Sequence, residues 1–85
     1  MRNQSGENAE ARALGREIAA ARIRRGWTQQ QLADAAGLSQ SALKLWELGR
    51  RAPTVTHLIQ LARALDVSAG EMMDAALKAI EKDDR

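Results

Sequence analysis

The sequence contains no cysteine, phenylalanine or tyrosine, and its two tryptophans are its only aromatic residues of the Phe/Trp/Tyr class. Without cysteine, a disulfide framework, a cysteine-based zinc site and a thiol nucleophile are excluded. The scarcity of aromatic residues argues against a β-rich fold, because strands are enriched in them. No apolar run approaches the ~20 residues that span a bilayer, and the first residues carry no apolar signal-peptide core. We therefore expect a cytoplasmic protein that does not bind membranes.

Groups suited to catalysis are equally scarce. His57 is the only histidine, and neither an HExxH pattern nor a phosphate-binding glycine loop occurs. We expect His57 to be a surface or half-buried residue in the first turn of a helix. The acidic residues near the C-terminus, Glu81, Asp83 and Asp84, are interpreted as a charged tail rather than a metal site. The sequence thus predicts no enzymatic activity, no metal and no cofactor.

Alanine, leucine, arginine and glutamine, which all favour helices, dominate the composition. A chain of 85 residues allows one domain with one small core. The spacing of apolar residues predicts an all-α fold with helices over about 9–25, 29–36 and 40–48, a fourth after Thr54 and a fifth after Ser68. Residues 1–8 are expected to form a flexible N-terminal arm, 9–82 the folded domain and 83–85 a frayed tail.

Two helix-start signals surround a glycine in the middle of the chain. Thr28 and Gln31 have the spacing of a capping box, and Ser39 is a suitable N-cap. Gly37, between them, suits the left-handed conformation that ends a helix. Two short helices joined by a glycine-containing turn indicate a helix-turn-helix, whose second helix can enter a DNA major groove.

Charge is unevenly distributed along the chain. Residues 12–51 hold eight basic and three acidic residues, a net charge of +5, whereas residues 52–85 carry −2. The basic part contains the predicted helix-turn-helix. A polyanionic partner is therefore expected at that half of the molecule, although arginine-rich helix faces can also be simply solvated.

With these elements in place, the chain resembles the phage-repressor/Cro-like (XRE-type) helix-turn-helix family over about residues 14–73. The resemblance is carried by TQQQLADAAGLSQSALKLWELG, RRAPT and LIQLARALDVS. It implies a compact five-helix bundle of the lambda-repressor-like DNA-binding type, with residues 40–48 as the recognition helix. It also implies a structural ion pair between Arg22 and Glu47.

The resemblance and the chemistry of the side chains together suggest which residues contact DNA. Expected contacts to phosphates come from two helix starts and from the loop after the recognition helix, at Thr28, Gln29, Ser39, Arg50 and Arg51. Expected contacts to bases come from Gln40, Ser41, Lys44 and Leu45. Glutamine can bind adenine N6 and N7 together, and lysine can donate to guanine. Simple solvent exposure of Gln40, and a phosphate contact or no contact for Lys44, stay open.

Leucine stands at two positions where the family commonly has polar or basic residues. Leu45 is suited to contact a thymine methyl group. For Leu48 we expect ordinary core packing, such as covering the edge of Trp46, with a protein contact as the alternative. These departures leave the preferred DNA sequence open.

A C-terminal apolar stripe exceeds what a small core requires, which predicts a dimer interface formed by Met72, Met73, Ala76, Leu77 and Ile80. The sequence therefore favours a sequence-specific transcriptional regulator, most simply a repressor, that binds a palindromic double-stranded DNA operator as a homodimer. The alternative is an antitoxin-like interaction module that mainly binds a partner protein, with DNA binding secondary.

Overall fold

The computed structural model describes residues 9–83, which fold into five helices. These are α1 (Ala9–Arg24), α2 (Gln29–Ala36), α3 (Gln40–Leu48), α4 (Val55–Leu65) and α5 (Ala69–Asp83). The predicted all-α, five-helix architecture is confirmed, and the bounds of α2 and α3 agree with the prediction residue for residue. The proposed arm at 1–8 and the last two residues lie outside the described range. Asp83, assigned above to the tail, belongs to α5.

Short-range hydrogen bonds define the ends of α2 and α3. At the start of α2, Thr28 Oγ1 accepts the Gln31 N–H (3.1 Å) and Gln31 Oε1 accepts the Thr28 N–H (2.8 Å), which completes the predicted capping box. Ser39 Oγ accepts the Ala42 N–H at 3.1 Å and caps α3. Gly37 lies between them with φ of 73°, where a Cβ would be strained. The turn of the helix-turn-helix is thus encoded by adjacent residues.

The start of α4 uses the single histidine as part of its cap. Thr54 Oγ1 accepts the His57 N–H (3.1 Å), and His57 Nδ1 accepts the Thr54 N–H at a longer 3.4 Å. The ring of His57 also packs on Trp46, with centroids 4.9 Å apart. His57 is half-buried, as expected from its position, and links the start of α4 to α3.

One hydrophobic core joins all five helices. Its fully buried large side chains come from α1 to α4 and are Ile18, Leu32, Leu43 and Leu61. Trp46 of α3 and Met72 of α5 extend the same cluster. No helix within residues 9–83 is both long enough and apolar enough to cross a bilayer. The core holds α2 and α3 against a scaffold of α1, α4 and α5.

Helix α1 approaches the end of α3 unusually closely at Gly15, which is buried. A Cβ placed on Gly15 would collide with the carbonyl oxygen of Trp46 and lie 3.0 Å from that of Glu47. Both are backbone atoms, which cannot move aside as a flexible side chain can. Glycine at this position is therefore required by the packing of α1 on α3.

Candidate nucleic-acid interface

Helix α3 has a buried face and an exposed face with different residues. Leu43 and Trp46 point into the core. The exposed residues have the helical spacing i, i+3, i+4 and i+7, and together we call them the α3 outer face: Ser41, Lys44, Leu45 and Leu48. Gln40, at the N-terminal end of the helix, is half-buried beside this face. Of the predicted base-contacting residues, three therefore share one exposed surface, and Gln40 borders it.

The two leucines of the α3 outer face are not core residues. Leu45 is 38% exposed and Leu48 is 64% exposed. The prediction that Leu48 packs in the core is therefore wrong: its position in the helical repeat places it near the centre of the exposed sector, opposite Trp46. This surface combines one lysine, one serine and two apolar side chains.

An ion pair between α1 and α3 holds the recognition helix in place. Arg22 Nε lies 2.7 Å from Glu47 Oε2, and Arg22 Nη2 lies 3.0 Å from Glu47 Oε1, a bidentate arrangement. Arg22 Nη1 also donates to the Trp27 carbonyl at 2.8 Å. One guanidinium thus fixes the end of α3, the end of α1 and the turn that leads into α2.

The same contact shifts the protonation equilibrium of the arginine. The hydrogen bond that Arg22 donates to the Glu47 carboxylate raises the pKa of Arg22, partial burial opposes that rise, and the negative charge of Glu47 adds to it. Arg22 is consequently charged throughout the range in which the protein would work.

Gln29 joins this network, which sequence reasoning missed. Its Nε2 donates to Glu47 Oε1 at 2.9 Å. Gln29 is a predicted phosphate contact, yet in the structure one amide hydrogen is directed to Glu47 and one remains for another acceptor. The contact spans 18 positions of sequence, so no local pattern indicates it. It ties the first turn of α2 directly to the end of α3.

The remaining predicted phosphate contacts lie around α3. Thr28 and Ser39 cap α2 and α3 and are exposed, so each hydroxyl hydrogen can still be donated outward. Arg50 and Arg51 follow Gly49, the residue that caps the end of α3, and are exposed. Their backbone N–H groups donate to the Leu45 carbonyl at 3.0 and 3.4 Å, which anchors this basic loop to the helix.

The predicted dimerisation stripe on α5 divides into two parts. Met72 and Ala76 are buried in the core of their own chain, because α5 packs against α1, and this leaves little of either side chain for a partner. Met73 and Leu77 are about half exposed, at 48% and 52%. With half-buried Ile80 and with Leu14 of α1, they line an open groove of about 200 Å³.

Comparison with known proteins is consistent with this geometry. A helix-turn-helix family model matches residues 18–72, which include the end of α1, all of α2 to α4 and the start of α5. The chain belongs to the XRE-type helix-turn-helix family. It is therefore a DNA-binding protein of transcription regulation, and its family binds double-stranded DNA.

Individual relatives of this XRE-type protein carry names that match this family. It is 42% identical over 60 residues to the uncharacterized HTH-type transcriptional regulator y4dJ of Sinorhizobium fredii, covering 71% of this chain and 78% of the relative. It is 40% identical over 45 residues to the cryptic phage CTXphi transcriptional repressor RstR of Vibrio cholerae, covering 53% of this chain but only 40% of that protein. The crystal structure of the restriction-modification controller protein C.AhdI from Aeromonas hydrophila superposes with a TM-score of 0.74 at 29% identity, covering 76% of this chain and 98% of that one.

Proposed function

We propose that the protein is a sequence-specific repressor that binds a palindromic operator as a homodimer and inserts α3 into the major groove. The observation that carries this proposal is the α3 outer face. It is exposed, Arg50 and Arg51 lie two and three positions beyond it in sequence, and the Arg22–Glu47 pair fixes the end of the helix that presents it. A rigidly held helix with an exposed side and a basic border has the properties required for major-groove recognition.

The phosphate contacts in this proposal come from both ends of α3 and from the start of α2. Thr28 and Ser39 stand at helix N-termini, where unpaired N–H groups and the positive end of the helix dipole favour phosphate. Arg50 and Arg51 supply full positive charges beyond the other end of α3. Gln29, held by Glu47, sets the distance between the start of α2 and the recognition helix, and its second amide hydrogen is available to a phosphate.

Base contacts in this proposal come from Gln40, Ser41, Lys44 and Leu45. Ser41 and Lys44 are exposed on adjacent turns and carry hydrogen-bond donors, so both can reach groove edges. Half-buried Gln40 lies at the N-terminal end of α3, the end that contacts bases in docked helix-turn-helix proteins.

Association into a dimer is supported by the exposed part of α5. Met73 and Leu77 border an apolar groove whose other wall is α1. A single short helix reads only a few base pairs, whereas two copies one helical turn apart, about 34 Å, read a palindrome. The repressor assignment is supported by RstR, a relative named as a transcriptional repressor.

The salt dependence of DNA binding tests this interface. Because each neutralised phosphate releases counterions, we expect log Kd to rise linearly with log salt concentration, with a slope of about 0.9 per contact. Arg51→Ala is expected to weaken binding and to reduce that slope by roughly one per subunit. Lys78→Ala is the matched control, since Lys78 lies on α5 and is exposed beside Asp74. If Arg51→Ala leaves the slope unchanged, Arg51 does not contact a phosphate and is not part of the interface.

The oligomeric state tests the α5 surface. Leu77→Glu places a charge on an exposed side chain of the groove, so we expect a folded monomer in sedimentation-velocity experiments where the wild type sediments as a dimer. Val55→Glu is the control, because Val55 is a more exposed apolar residue, on α4. If Val55→Glu dissociates the dimer and Leu77→Glu does not, the interface lies on α4 instead.

A second candidate function is the interaction module, in which a partner protein covers the leucines of α3. The joint exposure of Leu45 (38%) and Leu48 (64%) on one helix face favours it, because exposed apolar patches can mark protein contacts. The salt titration separates the two functions: absence of binding to any DNA at low salt would support the interaction module.

A further inference from the structure

We infer that Leu45 and Leu48 on the α3 outer face contact pyrimidine 5-methyl groups. These contacts select thymine over cytosine at adjacent positions of the operator. This inference rests on the proposed insertion of α3 into the major groove. It goes further by assigning a chemical selectivity to two exposed leucines of this helix.

The geometry of α3 places both leucines on the side of the helix that would face base edges if α3 enters the groove as proposed. At 100° per residue, Ser41 and Leu48 lie within about 20° of each other at the centre of the exposed sector, and Leu45 lies at its side. The rise of the helix separates Leu45 from Leu48 by about 4.5 Å along the axis, close to one base-pair step of ~3.4 Å. The two side chains are therefore positioned to reach neighbouring base pairs.

A leucine side chain can make a favourable contact with only one kind of group on the base edges of the major groove. Leucine has no donor or acceptor, so it cannot pair with guanine N7 and O6, adenine N6 or cytosine N4. The C5-methyl group of thymine is the apolar feature that a base pair presents in this groove. Contact between a leucine and that methyl removes apolar surface from water on both sides. Facing cytosine, the same leucine would meet only the hydrogen at C5 and would lose this apolar contact.

The charges around the leucines favour DNA as the occupant of this surface. Lys44 stands beside Leu45 on the same face, and Arg50 and Arg51 follow Leu48 within three positions. The apolar pair is therefore bordered by cations, which match phosphates on either side of a groove.

Replacing thymine with deoxyuridine tests the inference, because it removes only the methyl group. The probe is the duplex that the protein enriches most strongly from a random pool, with each dT changed singly to dU. We expect about a fourfold increase in Kd for each methyl that a leucine contacts, at two positions per half-site, one for each leucine. Where T·A is replaced by C·G, 5-methylcytosine in place of cytosine is expected to recover part of the lost affinity.

Protein variants identify which side chain is responsible. Leu45→Ala and Leu48→Ala are each expected to abolish the dU penalty at one position and to keep it at the other. Both side chains are exposed, so both variants should retain the helical circular-dichroism spectrum. Lys44→Ala is the control: it is expected to weaken binding overall while the ratio between dT and dU duplexes stays unchanged.

The possible outcomes separate this inference from the proposed function. Specific binding with equal Kd for dT and dU at every position would overturn methyl recognition and leave the proposed function standing. A dU penalty that persists in both leucine variants would also overturn it, since another group would then contact the methyl. Failure to enrich any duplex would overturn both and would point to a protein partner for the leucines.

Discussion

Replacing Gly15 with alanine is expected to destabilise the domain by about 3 kcal/mol, which is the upper part of the usual range for overpacking. The added Cβ would collide with the carbonyl oxygen of Trp46 and lie 3.0 Å from that of Glu47. Because these are backbone atoms at the end of α3, relief requires α1 and α3 to separate. For a domain of this size the change corresponds to roughly 12–24 °C in melting temperature. Thermal unfolding followed by circular dichroism measures it.

Gly70→Ala is the matched control for this substitution. Gly70 is also helical, but a Cβ there meets only Ser68 Oγ, at an ordinary 3.6 Å. The change should be neutral or stabilising, since alanine favours helix over glycine by up to about 1 kcal/mol. Equal melting temperatures for the two variants would show that α1 and α3 have room between them. Because Gly15 contacts the end of α3, Gly15→Ala should also weaken DNA binding.

Glu47→Ala is expected to cost about 2–3 kcal/mol, less than the ~3–5 kcal/mol for a deeply buried ion pair, because this pair is only partly buried. The Glu47 side chain is only 7% exposed and that of Arg22 15%. Its removal leaves the Arg22 guanidinium without its carboxylate and the Gln29 amide without its acceptor. Glu17→Ala, which removes a carboxylate from α1, is expected to lower the melting temperature far less. Equal melting temperatures for Glu47→Ala and Glu17→Ala would contradict a structural role for the pair.

A double-mutant cycle separates the pair from its neighbours. Arg22→Ala combined with Glu47→Ala should cost less than the sum of the single changes, because neither charge is then stranded.

The contribution of the Arg22–Glu47 pair to the free energy of unfolding depends on pH in a definite direction. Since the pKa of Arg22 is raised in the folded state, its contribution is fully present below the unfolded pKa and is lost only as the pH rises through the folded one, in strongly alkaline solution.

Local signals explain which parts of the fold are predictable from sequence. Thr28 with Gln31, and Ser39 before α3, bond within three residues of themselves, and Gly37 ends α2 through its own φ. Each such signal acts on adjacent backbone, so the bounds of α2 and the start of α3 follow from it alone. Gly49, with φ of 76°, ends α3 in the same way. The all-α class and the helix-turn-helix follow from the same signals together with apolar spacing.

Long-range contacts explain what is not predictable. The Arg22–Glu47 pair was expected only from the family resemblance, since 25 positions separate its members. Gln29 joins that pair through a contact with no sequence pattern. A glycine inside α1 is unfavourable and so signals a packing constraint, but the opposing backbone of Trp46 is visible only in three dimensions. Likewise, Met72 and Met73 are adjacent in sequence, and only the path of α5 across α1 determines which of them is buried.

The buried and exposed faces of α3 evolve under different constraints. Leu43 and Trp46 maintain the fold and contribute nothing to the exposed surface, whereas the α3 outer face contributes little to the core. After a gene duplication, substitutions on the α3 outer face can thus give one copy a new operator, because these substitutions leave the domain folded. A family of regulators can diversify on this scaffold by drift at a few codons, while the rest of the domain remains under selection for folding.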